Sequence, residues 1–180
     1  MPTAAHDRAL LLKLAREAIQ AYVGVAPAHV PAAGGVLGEP GGAFVTLHKH
    51  GELRGCIGHI EANEPLGKVV TRCAVAAAST DPRFPPITAD ELRQIEIEIS
   101  LLGPLEPIDG PGEIEVGRHG LVVEQGWQRG LLLPQVAPEW NWDADAFLAH
   151  TCHKAGLPPD AWKHGARIFR FEAEVFGEGE

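Results

Sequence analysis

A thiol, a guanidinium and two glycines lie within residues 54–58. Arg54 precedes Cys56 by two positions, so on a β-strand these side chains and Gly58 would share one face. A positive charge near the sulfur favours the thiolate, the nucleophilic form of cysteine. Gly55 and Gly58 would let another backbone or a ligand approach closely. The pattern predicts Cys56 as a nucleophile or redox thiol. The alternative is a small core residue, because free cysteine is among the most buried residue types.

A second cluster lies in the sequence DPRFPP at residues 81–86. Its prolines restrict the backbone, so the turn would aim the guanidinium of Arg83 and the ring of Phe84 from a rigid loop. A guanidinium held in this way is suited to binding a carboxylate or a phosphate. The turn therefore predicts a site for an anionic small molecule. The alternative is that Asp81 pairs with Arg83 inside the turn while Phe84 fills the core.

The sequence GRHG at residues 117–120 places His119 in a tight turn. An imidazole presented by such a turn can act as a general base or acid near neutral pH. The alternative is a surface histidine in an ordinary turn.

Nine histidines raise the question of a metal site. His48 and His50 would alternate onto one strand face, but Cys56 and His59 would point to opposite faces, so four tetrahedral ligands do not converge. The sequence also lacks a Walker A loop, a dinucleotide-binding glycine fingerprint, a GxSxG elbow, an HExxH helix and a CxxC pair. We predict no metal site and no cofactor.

Three helices that could position these residues are predicted from apolar side chains spaced three and four apart. They cover residues 7–23 with Asp7 as the cap, the alanine-rich residues 65–79, and residues 143–156, which Gly156 would close. Trp140, Trp142 and Trp162 are expected to pack the last helix against the sheet. Residues 24–42 have no periodicity and many prolines and glycines, which predicts a long irregular loop.

Strands are predicted where apolar and polar side chains alternate. They form a hairpin that turns near His50 and Gly51, a strand over 95–102, two strands over 115–125 and 129–135, and a final strand over 167–176. Thr88 and Glu91 fit a capping box for one or two helical turns. Hairpins mixed with helices predict an α+β fold with mixed or antiparallel sheets and about three main helices, rather than a doubly wound parallel sheet.

Composition argues against several classes of protein. The 180 residues include 15 Lys and Arg against 24 Asp and Glu, a net charge of −9, which argues against a nucleic-acid partner. Three cysteines cannot form a disulfide framework, which predicts a reducing cytoplasm. No apolar run reaches the roughly 18 residues that span a bilayer, and acidic Asp7 and Glu17 argue against a signal peptide. We therefore expect a cytoplasmic protein without membrane association.

Six stretches together resemble the AMMECR family, whose bacterial and archaeal form is called AmmeMemoRadiSam system protein A. They are LRGCIG at 53–58, DPRFPP at 81–86, ISLL at 99–102, GRHG at 117–120, LLPQVA at 132–137 and FLAHTCHKAGLPPDAW at 147–162. The resemblance implies a single AMMECR-type domain over residues 1–180, with a larger and a smaller subdomain that share one core around a cleft. It also implies association with Memo-like and radical SAM partner proteins.

The motifs that carry the resemblance fall on residues with chemistry, which favours a functional role for Cys56. They are Arg54, Gly55, Cys56, Gly58, Asp81, Arg83, Phe84, His119 and Gly120. The resemblance makes Cys56 and His119 the candidate catalytic residues. It makes the other seven the candidate substrate-binding residues.

Three hypotheses follow. The leading one is a cytoplasmic enzyme or enzyme component in which Cys56 is the nucleophile or redox thiol and His119 moves protons. In this hypothesis Arg54 and Arg83 hold an anionic small molecule. The alternative is a non-catalytic adaptor that binds the Memo-like and radical SAM partners through the LRGCIG hairpin and the GRHG turn. The third is an RNA-associated protein, which the net charge disfavours.

Overall fold

The computed structural model describes residues 3–27 and 34–179. The chain divides into two compact units, one formed by Met1–Leu102 with Glu174–Glu180 and the other by Gly103–Ala173. Each unit has a four-stranded sheet and its own cluster of buried apolar side chains. The predicted α+β class, with antiparallel sheets and three substantial helices, is confirmed. Within the predicted 24–42 loop, residues 28–33 lie outside the described residues.

The helices and strands are numbered in chain order. They are α1 (Ala5–Tyr22), β1 (Gly42–Lys49), β2 (Glu52–His59), α2 (Leu66–Ser79), β3 (Ile95–Leu102), β4 (Glu106–Ile108), β5 (Gly120–Gln125), β6 (Gln128–Leu132), α3 (Val136–Glu139), α4 (Ala144–Lys154), β7 (Arg167–Phe171) and β8 (Ala173–Gly177). Short 3₁₀ turns cover Gly35–Gly38, Ala89–Gln94, Pro111–Glu113 and Ala161–Lys163.

In the first unit α1 and α2 cover one face of a sheet ordered β2-β1-β3-β8. The alternation of β1 and β3 turns Val45, Leu47, Ile97 and Ile99 toward the helices, and all four are buried. The five α2 side chains predicted to be buried are indeed buried: Val69, Val70, Cys73, Ala74 and Ala77. This order leaves β2 at one edge of the sheet.

One of the two predicted helix N-caps is confirmed. The capping box of Thr88 and Glu91 is present on the 3₁₀ turn that follows Thr88. Asp143, which was not predicted as a cap, caps α4, with Oδ1 accepting from the backbone N–H of Ala146 at 2.8 Å. The prediction that Asp7 caps α1 is wrong, because the helix begins two residues earlier. Asp7 lies instead in the first turn, where the helix dipole favours negative charge.

In the second unit α4 packs on a sheet ordered β4-β7-β5-β6. Phe147 and Leu148 of α4 are fully buried, as is Leu121 of β5. Trp142 and Trp162 pack against this cluster. The expectation that Trp140 packs there too is wrong, since Trp140 is 67% exposed.

Strand boundaries differ from the sequence prediction in three places. The run predicted as one final strand forms both β7 and β8, which belong to different sheets. Residues 115–119, part of the run predicted as strand, form the turn that the GRHG sequence predicts, in which the N–H of His119 donates to the carbonyl of Glu115 at 3.0 Å. The sequence did not predict β4, because prolines at 104 and 107 argue against a strand; β4 is a three-residue edge strand, where proline is tolerated.

Among residues 3–27 and 34–179, no helix is both long and apolar enough to cross a bilayer. The same residues contain no group of three or more His, Cys, Asp or Glu side chains arranged to hold a metal ion.

Candidate functional site

A β-bulge in the hairpin of β1 and β2 sets the position of every residue in the LRGCIG motif. Next to the turn His48 pairs with Leu53, but the following pair is Leu47 with Gly55. Arg54 is therefore an extra residue in β2, and all later pairs are shifted by one. The predicted alternation of Arg54 with Cys56 on one face is wrong, because the bulge breaks the period of two.

The bulge brings Cys56 to the face of the sheet opposite to the helices. Pairing from the turn without an extra residue would place Cys56 opposite the buried Val45, whereas the shifted pairing places it opposite Thr46. Sγ of Cys56 lies 3.2 Å from Oγ1 of Thr46, and either atom can donate this hydrogen bond. Cys56 is partly exposed and lies outside the buried cluster of its unit. It is not a core residue.

The carboxylate of Asp81 fixes the backbone at Cys56. The N–H of Cys56, on the edge strand, donates to Oδ2 of Asp81 at 3.0 Å. Arg83 donates to Oδ1 from its backbone N (3.1 Å) and Nε (3.0 Å), and to Oδ2 from Nη2 (2.7 Å). These hydrogen bonds, foremost that of the Arg83 guanidinium, hold the pKa of Asp81 well below its usual range, although burial opposes them. Asp81 is therefore an anion that links Cys56 to Arg83.

Arg83 offers free donor capacity beside Cys56. Its side chain is 55% exposed, and Nη1 makes no hydrogen bond with any residue in the described ranges. The guanidinium lies 5.4 Å from the ring centre of the partly buried Phe84. Its charge also interacts with the thiol of Cys56. The pairing with Asp81 therefore orients Arg83 without consuming all of its donors.

Arg54, in contrast, is bound by a carboxylate of the protein. Its Nε and Nη2 donate to the two carboxylate oxygens of Glu91 at 3.0 and 3.1 Å. Nζ of Lys49 donates to the same carboxylate at 3.0 Å. The Arg54 guanidinium, followed by these other donors, lowers the pKa of Glu91 to about 2. Arg54 is only 11% exposed at its side chain, so this ion pair holds the bulge in place.

Three glycines of the motifs are explained by close approach of the protein's own atoms. A Cβ at Gly55 would collide with the carbonyl oxygen of Ala77 in α2. A Cβ at Gly58 or at Gly120 would collide with an aromatic ring, that of Phe44 or Phe171 respectively. The sequence predicts that another backbone or a ligand comes close to Gly55. In the structure the backbone of α2 does so.

Burial makes the other two thiols, those of Cys73 and Cys152, less reactive. Cys73 is 2% exposed, and burial raises its pKa to about 11. Cys152 is fully buried, and burial raises its pKa as well. Cys56 is therefore the most accessible of the three cysteines.

In the second unit His119 lines a surface pocket of about 290 Å³. Its Nδ1 accepts from the backbone N–H of Glu115 at 2.9 Å, which leaves the proton of the neutral ring on Nε2. Burial, and then the charges of Arg170 and Arg118, lower the pKa of His119. Arg118 is itself held by Glu115 and Glu172. His119 therefore favours the neutral ring, which presents an N–H donor at Nε2.

The predicted residues form separate clusters. Cys56, Asp81 and Arg83 are joined by hydrogen bonds in the first unit, where Arg54 is bound to Glu91. His119 and Gly120 lie in the second unit. Sequence reasoning missed Thr46 as the neighbour of Cys56. Only the bulged register reveals it.

Comparison with known proteins gives consistent results. The model of the AMMECR1 family matches residues 12–176. A protein from Methanothermobacter thermautotrophicus is 46% identical over 189 residues, covering 98% of this chain and 97% of its own length. Protein Mbar_A1807 from Methanosarcina barkeri is 48% identical over 179 residues, with 94% and 89% covered. The crystal structure of the uncharacterised protein PH0010 from Pyrococcus horikoshii superposes with a TM-score of 0.87 at 43% identity, covering 93% of this chain and 89% of that one.

Proposed function

The chain belongs to the AMMECR1 family, and from that premise we propose that it is a thiol-dependent enzyme, or a component of one, with Cys56 as nucleophile or redox thiol. One observation carries this proposal: a partly exposed thiol in a fixed backbone position, hydrogen-bonded to Thr46 and linked through Asp81 to an exposed guanidinium. A cysteine that only filled space would not need a cation nearby.

The substrate class that fits this arrangement is an anionic small molecule. Arg83 has an unused Nη1 and keeps its charge close to Cys56. A carboxylate or phosphate bound there gains a charge-assisted hydrogen bond worth about 1.5–3 kcal/mol. Asp81 orients both groups, because its two oxygens hold Arg83 and the Cys56 N–H at once. Asp81 is thus a positioning residue.

Arg54 has a different role in this proposal from the one predicted for it. Its guanidinium is bound to Glu91, so we assign it to holding the bulge that presents Cys56. Nη1 of Arg54 also lacks a hydrogen-bond partner among the described residues, but it is buried, so the proposal assigns anion binding to the exposed Arg83. His119 lies in the second unit, where its neutral ring presents an N–H at Nε2, and it stays a separate candidate for moving protons. We also propose a cytoplasmic location, which the three cysteines without a disulfide framework support, and Memo-like and radical SAM partners, which the family resemblance supports.

The test is residue-resolved alkylation of the folded protein with neutral iodoacetamide and anionic iodoacetate, followed by mass spectrometry between pH 6 and 9. We expect Cys56 to react at least about tenfold faster than Cys73 or Cys152 below pH 8, since burial raises the pKa of both other thiols. Arg83→Gln should lower the ratio of the iodoacetate rate to the iodoacetamide rate at Cys56 by about two- to fivefold, because one nearby positive charge is lost.

Two variants control this experiment. Arg83→Lys keeps the charge and should restore most of the ratio. Arg93→Gln removes an exposed arginine of the same unit that is outside the cluster, and it should leave the ratio unchanged. A silent Cys56 beside a faster Cys152 would overturn the proposal and favour the adaptor hypothesis.

A further inference from the structure

Three aromatic rings stack in a row on the second unit. The rings of Trp142 and His150 are 3.8 Å apart between centroids and almost parallel, at 6°. Trp140 stacks with Trp142 at 6.1 Å and 17°. Trp142 also packs against the buried cluster, which anchors the row. Trp140 ends the row and is 67% exposed.

The backbone between Trp140 and Trp142 has an unusual conformation. Asn141 has a φ of 55°, a left-handed conformation that non-glycine residues rarely adopt and that asparagine tolerates best. Hydrogen bonds hold the backbone on both sides of Asn141. The N–H of Trp142 donates to the carbonyl of Ala137 at 2.9 Å, and the N–H of Trp140 donates to the carbonyl of Val136 at 3.3 Å. The exposed ring of Trp140 is therefore held by the fold and does not belong to a loose chain end.

The chain segment that carries this row is acidic. Residues 130–153 contain Glu139, Asp143 and Asp145 and not one lysine or arginine. None of the three carboxylates forms an ion pair with a residue that the structure describes. The carboxylate of Asp143 accepts the capping hydrogen bond of α4 from the backbone N–H of Ala146.

The exposed ring of Trp140 and the carboxylates of the same segment together favour a positively charged ligand. A guanidinium can stack on the face of a tryptophan and donate to a carboxylate at the same time. A phosphate backbone would be repelled by the acidic residues, and a purely apolar partner would have to desolvate them without a hydrogen bond in return. Tryptophan and arginine are also the residue types that dominate binding energy in protein interfaces.

We propose that Trp140, with Glu139, Asp143 and Asp145, forms a docking surface for an arginine-containing basic segment of a partner protein. We call it the Trp140 surface. It lies within the second unit and requires nothing of Cys56, so its test is independent of the thiol chemistry proposed above.

The test uses the full chain and a capped peptide of four Arg-Gly repeats, with a matched peptide in which citrulline replaces arginine. Binding is followed through the four tryptophan indole N–H signals in two-dimensional NMR, which single-tryptophan variants assign. We expect saturable shifts at Trp140 and Trp142 that the citrulline peptide does not reproduce. Trp140→Ala should weaken binding by about two- to fivefold, and Asp145→Asn should weaken it in the same direction.

Trp127 provides the matched control. It is 91% exposed at the turn between β5 and β6, so Trp127→Ala removes a still more accessible indole from a different place. That variant should leave peptide binding unchanged. Absence of saturable binding, an equal loss in both tryptophan variants, or equal binding of the citrulline peptide would overturn the proposal. Saturable shifts of Trp140 with an oligouridylate in place of the peptide would also overturn it, in favour of base stacking.

Discussion

Glu91 binds two cations, Arg54 and Lys49, and also accepts from the backbone N–H of Thr88. Removing its charge leaves the guanidinium of Arg54 largely buried without a carboxylate. We therefore expect Glu91→Gln to lower the free energy of unfolding at pH 7 by about 3 kcal/mol, measured by urea denaturation. Glu96→Gln, at an exposed position of β3, is the control and should change little.

The pH dependence of this effect has a definite sign. The pKa of Glu91 falls from 4.5 to about 2 in the folded protein. A lowered carboxyl pKa contributes stability that is present above the unfolded value and is lost as pH falls through the folded value. The difference between the parent and Glu91→Gln should therefore shrink between pH 4.5 and 2. A difference that stays constant across this range would contradict the assignment of Glu91 as the charged partner.

His119 gives a second prediction at the residue scale. Burial and the charges of Arg170 and Arg118 lower its pKa, and its Nδ1 is already used as an acceptor. NMR titration of the imidazole should give a midpoint below 6.5, with Nε2 as the protonated nitrogen of the neutral ring. Because the folded value is the lower one, the stability that the neutral ring contributes is lost as pH falls below 6.5. A midpoint at or above 6.5 would contradict the lowering of the His119 pKa by burial and the two arginines.

At the scale of elements, the contact of β2 with α2 decides how the Cys56 cluster is built. Gly55 lies against the carbonyl of Ala77, which is backbone and cannot rotate away. Gly55→Ala should therefore cost about 2 kcal/mol of unfolding free energy through overpacking, and thermal denaturation would measure it. The control is Gly38→Ala, because a Cβ at Gly38 would meet nothing within 4 Å and its φ is not positive. Equal melting temperatures for the two variants would contradict this packing.

The same contact relates α2 to the chemistry of the site. Asp81 follows α2 by two residues and reaches the N–H of Cys56 on the sheet edge. A shift of α2 against β2 would move this carboxylate away from the thiol. We therefore expect Gly55→Ala to slow the alkylation of Cys56 as well as to destabilise the protein.

At the scale of the whole molecule, two features frame the function: a net charge of −9 and two sheets with separate apolar clusters. Nine histidines and three cysteines supply many metal-binding atoms, yet none of the described residues form a cluster of three or more such ligands. Elemental analysis of tag-free protein should therefore find far less than one metal ion per chain. One zinc per chain retained through chelation would contradict this prediction.

The sequence by itself determined what depends on neighbours a few residues away. The turn at His50 and Gly51, the capping box of Thr88 and Glu91 and the end of α4 before Gly156 all follow from local hydrogen bonds and backbone preferences. The buried face of α2 follows from its helical period. These features were predictable because side chain and backbone partner lie within one or two turns of chain.

Only the tertiary structure decided what depends on partners distant in sequence. The bulge at Arg54 reverses the face on which Cys56 lies, and it is held by Glu91, 37 residues away. The carboxylate that fixes Cys56 comes from Asp81, 25 residues away. The placement of β7 and β8 in different sheets also depends on strands that are distant in sequence. Alternation in sequence records which side chains are buried, whereas strand register and sheet membership are set by the packing of whole elements.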